Sequence, residues 1–230
     1  MKPQPHIKIE GTSKFQIGEI KDNNTVHYDF EKIKTYLNIK GHLLFGKNFK
    51  IYKEDEELIF KLCSYFIQDH FTCAKMGIDT NKGLLLTGPV GCGKTSLMKL
   101  LPYLAPHKTN YEIIPTRNIL FSFNASGFEV LEKYNETKNY CFDDLGLEPT
   151  GCHYIKECNV MGEILLSRYD LFTNISQPAL SLSKGRILTH ITTNLNAVEL
   201  EKRYGSRVRS RLRSMFNLIC FNSSSKDKRI

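Results

Sequence analysis

The stretch "KGLLLTGPVGCGKTSLMKLL", Lys82 to Leu101, sets an apolar run, a glycine-rich turn and a helical pattern in immediate succession. Nothing else in the chain constrains the fold as much. Gly88, Pro89, Val90, Gly91, Cys92, Gly93, Lys94 and Thr95 satisfy G-x-x-x-x-G-K-[ST], with Ser96 directly behind. Glycines in such a loop permit positive φ and close approach of the backbone to an anion. The helix behind the loop aims the positive end of its dipole at the same point. Lys94 then reaches the β and γ phosphates of a nucleotide, and Thr95 offers its hydroxyl to Mg²⁺. A glycine turn beside a chance lysine is the plain alternative, and the order strand, loop, helix argues against it. The expected cofactors are ATP and Mg²⁺, held along Gly88 to Ser96.

A second element tests the first. A phosphate loop of this kind needs a carboxylate at the end of a buried strand, and "NYCFDDLG" supplies Asp143 and Asp144 after Tyr140, Cys141 and Phe142. Asp143 is the expected metal residue beside Thr95; Asp144 is expected to orient and activate the attacking water. Two aspartates after an apolar run are commonly no more than a turn, so this reading leans on the loop upstream. A third element is "HITTNLN", where Thr192, Thr193 and Asn194 close a strand. A polar side chain there would lie between the aspartates and the γ-phosphate, with Asn194 the expected catalytic member.

From Gly83 onward the hydrophobic rhythm alternates. "GLLLT" (83–87), "YEII" (111–114), "YCF" (140–142), "ILTHITT" (187–193) and "FNLICF" (216–221) read as strands. Helices are expected at Lys94 to Leu101, Gly127 to Tyr134, Ile155 to Phe172, Ala197 to Tyr204 and Ser206 to Arg213. Asn196 with Glu199 forms a capping box. Strands interleaved with helices imply a parallel sheet covered on both faces, an α/β fold. Ahead of this, a short helix is expected to end near Gly41, and Glu54 to Gly77 reads as one helix opened by acidic residues. The polar segment 173–185 is long for a helix-to-strand connection and reads as an insertion. The expected division is an N-terminal extension at 1–53, an ATPase domain at 54–222 and a basic tail at 223–230.

The 230 residues suit one such domain, and the sequence contains no run of about 18 apolar residues that would span a membrane. The first residues lack the apolar core of a signal peptide, so the cytoplasm is the expected compartment. Seven cysteines, an odd number with no C-x-x-C pair, read as reduced thiols. Cys152, His153 and Cys158 match none of the usual zinc spacings. A net charge of +8 favours anionic partners. Its densest run is "EKRYGSRVRSRLRSMF", with Arg203, Arg207, Arg209, Arg211 and Arg213.

Taken together, "GPVGCGKTSL", "YCFDDLG", "ITTNL" and "RYGSRVRSRLR" resemble the Walker A, Walker B, sensor-1 and arginine-finger segments of the AAA+ ATPases, and more narrowly of the DnaC/IstB-like helicase loaders and transposition helpers. The resemblance covers roughly residues 54 to 221. It implies a three-layer αβα P-loop NTPase with a five-stranded parallel sheet in the order 5-1-4-3-2. It also implies ATP hydrolysis at interfaces of a homo-oligomer, where one subunit supplies an arginine to the next. Arg207 and Arg211 share one helix face; Arg211 is the first choice for the finger and Arg207 its rival. No small helical lid of the kind found in most AAA+ proteins is expected after the fifth strand, as in the DnaC/IstB-like branch. The implied partners are DNA, expected single-stranded, and a replicative helicase or a transposase. Lys133, Lys138, Lys156 and Arg168 are the candidate phosphate-tracking cations. A P-loop small-molecule kinase and a non-hydrolysing ATP-responsive adaptor are the competing readings.

Overall fold

The computed structural model describes residues 5–21, 25–105, 110–154, 156–175 and 187–229. The chain divides into two compact units, Met1–Ile78 with Ser96–Asn110, and Asp79–Thr95 with Tyr111–Ile230.

In the first unit, two antiparallel hairpins open the chain. One pairs β1 (Ile7–Glu10) with β2 (Ser13–Gln16), the other β3 (Gly18–Lys21) with β4 (Thr25–Tyr28). Helix α1 (Phe30–Phe45) follows, capped by the Asp29 carboxylate and ended by Gly46. It runs past the expected stop because Gly41 is there for packing. A Cβ on Gly41 would lie 2.1 Å from the Phe49 ring, so the helix needs a bare backbone at that point. The long helix expected from Glu54 to Gly77 is two helices, α2 (Glu56–Ile67) and α3 (His70–Lys75). Gln68 turns left-handed at φ 58, and Asp69 then caps a new start by accepting from the Thr72 N–H at 2.9 Å. A local cap thus outcompetes continuation of the apolar stripe.

The second unit contains a five-stranded sheet of β5 (Gly83–Thr87), β6 (Glu112–Pro115), β7 (Tyr140–Leu145), β10 (Thr189–Thr193) and β11 (Phe216–Cys220). The spatial order is β11-β5-β10-β7-β6, and every pairing is parallel. In chain order that is the expected 5-1-4-3-2. The crossovers carry α4 (Lys94–Leu100), α5 (Thr116–Ser126), α6 (Glu129–Tyr134), α7 (Val160–Ile175) and α8 (Ala197–Met215). A small hairpin of β8 (Gly151–His153) and β9 (Lys156–Cys158) precedes α7. The fold is therefore the three-layer αβα P-loop NTPase architecture, with AAA+ strand order.

Helix α5 was not expected from the sequence. Its apolar residues run together as "ILFSF", which hides their period, yet Thr116, Ile119, Leu120 and Phe123 are buried on one helical face. Helix α7 begins later than the expected Ile155, because the Asn159 side chain accepts from the Gly162 N–H and sets the first turn. The expected insertion falls partly on the end of α7; residues 176–186 lie outside the described residues. Helix α8 is continuous by hydrogen bonding but broken at Gly205, with φ 85 and ψ 163, a conformation open to glycine. The two expected helices on either side of that residue are thus present, and so is the Asn196–Glu199 capping box.

Arg168 corrects a sequence expectation. It does not face DNA: the side chain is 1% exposed. Its guanidinium donates to the Glu136 and Lys138 carbonyls at 2.8 Å, to the Tyr134 carbonyl at 3.4 Å and to the Thr189 hydroxyl at 2.9 Å. The Tyr140 ring lies 5.2 Å beneath it. Burial pushes its pKa down to about 10, still far above neutrality. The charge ties the turn before β7 to β10 and so fixes the strand that ends in the aspartate pair. Among the other candidates, Lys133 is exposed and Lys138 pairs with Glu136 at 3.0 Å.

Arg168→Met should fold with the same sheet but strand three carbonyls without their donor. Each costs about 1–3 kcal/mol, so we expect a loss of about 3 kcal/mol or more by urea titration. An unchanged midpoint would show that the clamp does not hold β7.

Candidate functional site

The loop between β5 and α4 carries the first part of the site. Gly93 has φ 104, and nothing lies within 4 Å of where its Cβ would stand, so the backbone there borders open space. Lys94 is 4% exposed. Its ammonium donates to the Gly88 carbonyl at 2.9 Å, the Pro89 carbonyl at 2.8 Å and Asn194 Oδ1 at 2.6 Å. The Cys92 sulfur lies 3.7 Å away. All three oxygens are neutral. A buried cation whose hydrogen bonds all go to neutral acceptors has no carboxylate bonded to it to balance its charge, and is poised for an anion.

The second part is the end of β7. Asp143 is 7% exposed, and its Oδ1 accepts from the Thr95 hydroxyl at 2.8 Å and the Thr192 hydroxyl at 2.6 Å. The Thr192 oxygen in turn accepts the Asp144 N–H at 2.9 Å. Parallel pairing of β10 with both β5 and β7 brings these residues together from segments about fifty and a hundred positions apart. A hydroxyl beside an anionic oxygen is the donor set that hard Mg²⁺ accepts. The open backbone at Gly93, the neutral-held lysine and this pair fit a magnesium triphosphate.

Asp144 differs from its neighbour. It sits at φ 57, a left-handed conformation that costs a non-glycine residue about 1–2 kcal/mol. Among the described residues its carboxylate takes no hydrogen bond. Burial, then the Asp143 charge, raises its pKa, while Lys94, Arg117 and Arg229 offset part of that rise. Strain and a raised carboxyl pKa at one residue mark a group kept for chemistry.

The sequence reading missed several contacts here. The C-terminal residues run back across the loop: the Lys228 N–H donates to the Gly91 carbonyl and its ammonium to the Cys92 carbonyl, both at 3.0 Å. Asp227 packs against Gly91 and pairs with Arg229 at 2.5 Å. Glu148, 4% exposed, sits beyond the aspartates and joins Gly146 to Tyr204. No periodicity or motif in the sequence signals these contacts. Of the two finger candidates, Arg207 is exposed, whereas Arg211 is half-buried with its guanidinium 4.3 Å over the Tyr169 ring. Among the described residues no cluster of His, Cys, Asp and Glu could hold a metal by itself, and Cys152 and Cys158 are free thiols. No helix among them is long and apolar enough to cross a membrane.

Sheet order, phosphate loop and aspartate pair together define an AAA+-type P-loop NTPase fold. Among solved structures, the chain is similar to the DnaC helicase loader at 17% identity and a TM-score of 0.49, over 75% of this chain and 92% of that one. It is also similar to a candidate primosome component from Streptococcus pyogenes serotype M3, at 17% identity and a TM-score of 0.46, over 76% and 83%. No family model matches, and no curated protein does. Neither structural likeness is close enough to transfer a role.

The raised Asp144 pKa has a stability consequence with a definite sign. A carboxyl whose folded pKa lies above its unfolded value destabilises the fold once both states ionise, and the penalty fades as pH falls through the folded pKa. Asp144→Asn, which also tolerates the left-handed backbone, should therefore be more stable than the native chain at neutral pH. The gain expected from relieving such a site is about 0.5–2 kcal/mol. Melting curves from pH 7 to pH 4 should show the two proteins converging. A variant less stable at pH 7 would contradict the assignment.

Proposed function

We propose that this chain is a magnesium-dependent ATPase of the DnaC/IstB-like kind, an accessory protein in DNA replication or transposition acting in the cytoplasm. The observation that carries the reading is the convergence on one point of Lys94, Thr95, Asp143, Thr192 and Asn194. Bound Mg²⁺ would neutralise developing phosphate charge. The rest falls to the chain's own groups. Lys94 leaves its neutral oxygens for phosphate. Thr95 and Asp143 would hold the metal. Asn194, released by Lys94, holds the water in line, and Asp144 accepts its proton.

The exposed Arg207 is our first choice for a finger offered to a neighbouring copy, because Arg211 is already engaged with Tyr169. ATP binding would assemble copies on single-stranded DNA, and hydrolysis at their interfaces would release a helicase or transposase client. The net charge of +8 favours such a track, and salt would weaken it.

Turnover per subunit should rise with protein concentration and rise further with single-stranded DNA. Arg207→Ala should bind nucleotide normally as a monomer and lose about 10³-fold or more of the assembled rate, while Arg211→Ala keeps most of it. Turnover independent of concentration would remove the interface from the mechanism. An inactive Arg211→Ala beside an active Arg207→Ala would exchange the two roles.

A further inference from the structure

Glu148 is a buried carboxylate that the hydrolytic reading leaves without work. Its Oε2 accepts the Gly146 N–H at 2.9 Å, and its Oε1 accepts the Tyr204 hydroxyl. Arg203 adds its guanidinium 3.6 Å from Oε1. The three partners belong to two functional segments. Gly146 is the second residue past the strained Asp144. Tyr204 immediately precedes Gly205, the point where α8 breaks and a new helical direction begins. That second half carries Arg207 and Arg211.

The link is built to be rigid. Tyr204 is 6% exposed, and burial followed by the Glu148 charge raises its pKa, so the phenol stays a donor. Val208, Leu212 and Met215 bury one face of the helix beyond the break. Asn159 holds the Arg203 carbonyl from its other side at 3.1 Å. A hydrogen bond between two buried groups beside the break at Gly205 joins the turn after Asp144 to the arginine helix. The turn after Asp144 and the residue before Gly205 are thus tied through one carboxylate.

We propose that Glu148 and Tyr204 are positioning residues that couple a subunit's own nucleotide site to the arginine helix it presents to a neighbouring copy. The inference rests on the interface reading above and names the part that would regulate it. When the γ-phosphate is present, the turn carrying Asp144 and Gly146 is drawn toward the loop, and the link sets the angle of the helix beyond Gly205. The finger then reaches the neighbour only from a subunit whose own site is charged. Hydrolysis becomes ordered around the assembly rather than independent at each site.

Tyr204→Phe deletes one hydroxyl and keeps the ring. Affinity for a fluorescent ATP analogue at monomeric dilution should stay within about twofold. Assembled turnover should fall about tenfold, and its dependence on ATP should lose cooperativity. Mixing supplies the decisive reading. Asp144→Asn subunits cannot hydrolyse but carry an intact link and finger, so adding them to Tyr204→Phe subunits should restore turnover in the latter's sites. Glu148→Gln, which keeps an acceptor, should show the same defect in milder form and the same rescue. Wild-type turnover in Tyr204→Phe, or a loss that mixing does not restore, would overturn the coupling. Failure of the interface reading looks different: the native chain itself would show no rise in turnover with concentration.

Discussion

The site depends on Asp143 Oδ1. One oxygen receives the Thr95 hydroxyl from the helix after the phosphate loop and the Thr192 hydroxyl from the adjacent strand, at 2.8 and 2.6 Å. Two hydrogen bonds to a buried carboxylate are each worth more than neutral ones, about 1.5–3 kcal/mol. They tie the start of α4 and the end of β10 to the end of β7, at the carboxyl edge of the sheet where open parallel sheets bind ligands. The Arg168 clamp acts on the same strand from its opposite end, holding the turn that leads into β7. Strand β7 is thus pinned at both ends, and the aspartate pair is delivered to a fixed place.

That fixed place separates the roles of two adjacent carboxylates. Asp143 is satisfied by hydroxyls and lies in extended backbone. Asp144, one residue on, is strained at φ 57 and has its carboxyl pKa raised chiefly by burial. The contrast follows from an irregularity inside β7: its partner β10 pairs Ile191 with Phe142 and then Thr193 with Leu145, so β7 carries one extra residue there, and the left-handed backbone at Asp144 breaks the strand's simple alternation. Two carboxylates in different environments are produced from the same dipeptide by geometry alone.

Much of this was legible in the sequence. The strand–loop–helix at Gly83 to Leu100, the aspartate pair, the polar strand end at Thr192 to Asn194 and the break at Gly205 all carry local signals, in glycine spacing, apolar runs and caps. The sheet order came from the family resemblance, and the strand pairings agree with it. What the sequence hid is non-local. Helix α5 was concealed because Ile119, Leu120, Phe121 and Phe123 crowd into a run that looks like a strand. Arg168 looked like a surface cation because its four acceptors lie 21 to 34 residues away. The same holds for the Glu148–Tyr204 link and for the C-terminal residues on the loop, contacts spanning 56 and 136 positions. A backbone carbonyl leaves no mark in composition, so a charged side chain bound for one cannot be told from one bound for water.

The central claim is that a magnesium triphosphate displaces the neutral oxygens around Lys94. Isothermal titration of the native chain with Mg-ATP, repeated on Lys94→Ala, tests it most directly. A single-site isotherm is predicted for the native protein, weakened about 10- to 150-fold in the variant, the worth of charge-assisted hydrogen bonds. Equal isotherms for the two proteins, or no heat from the native one, would contradict the account.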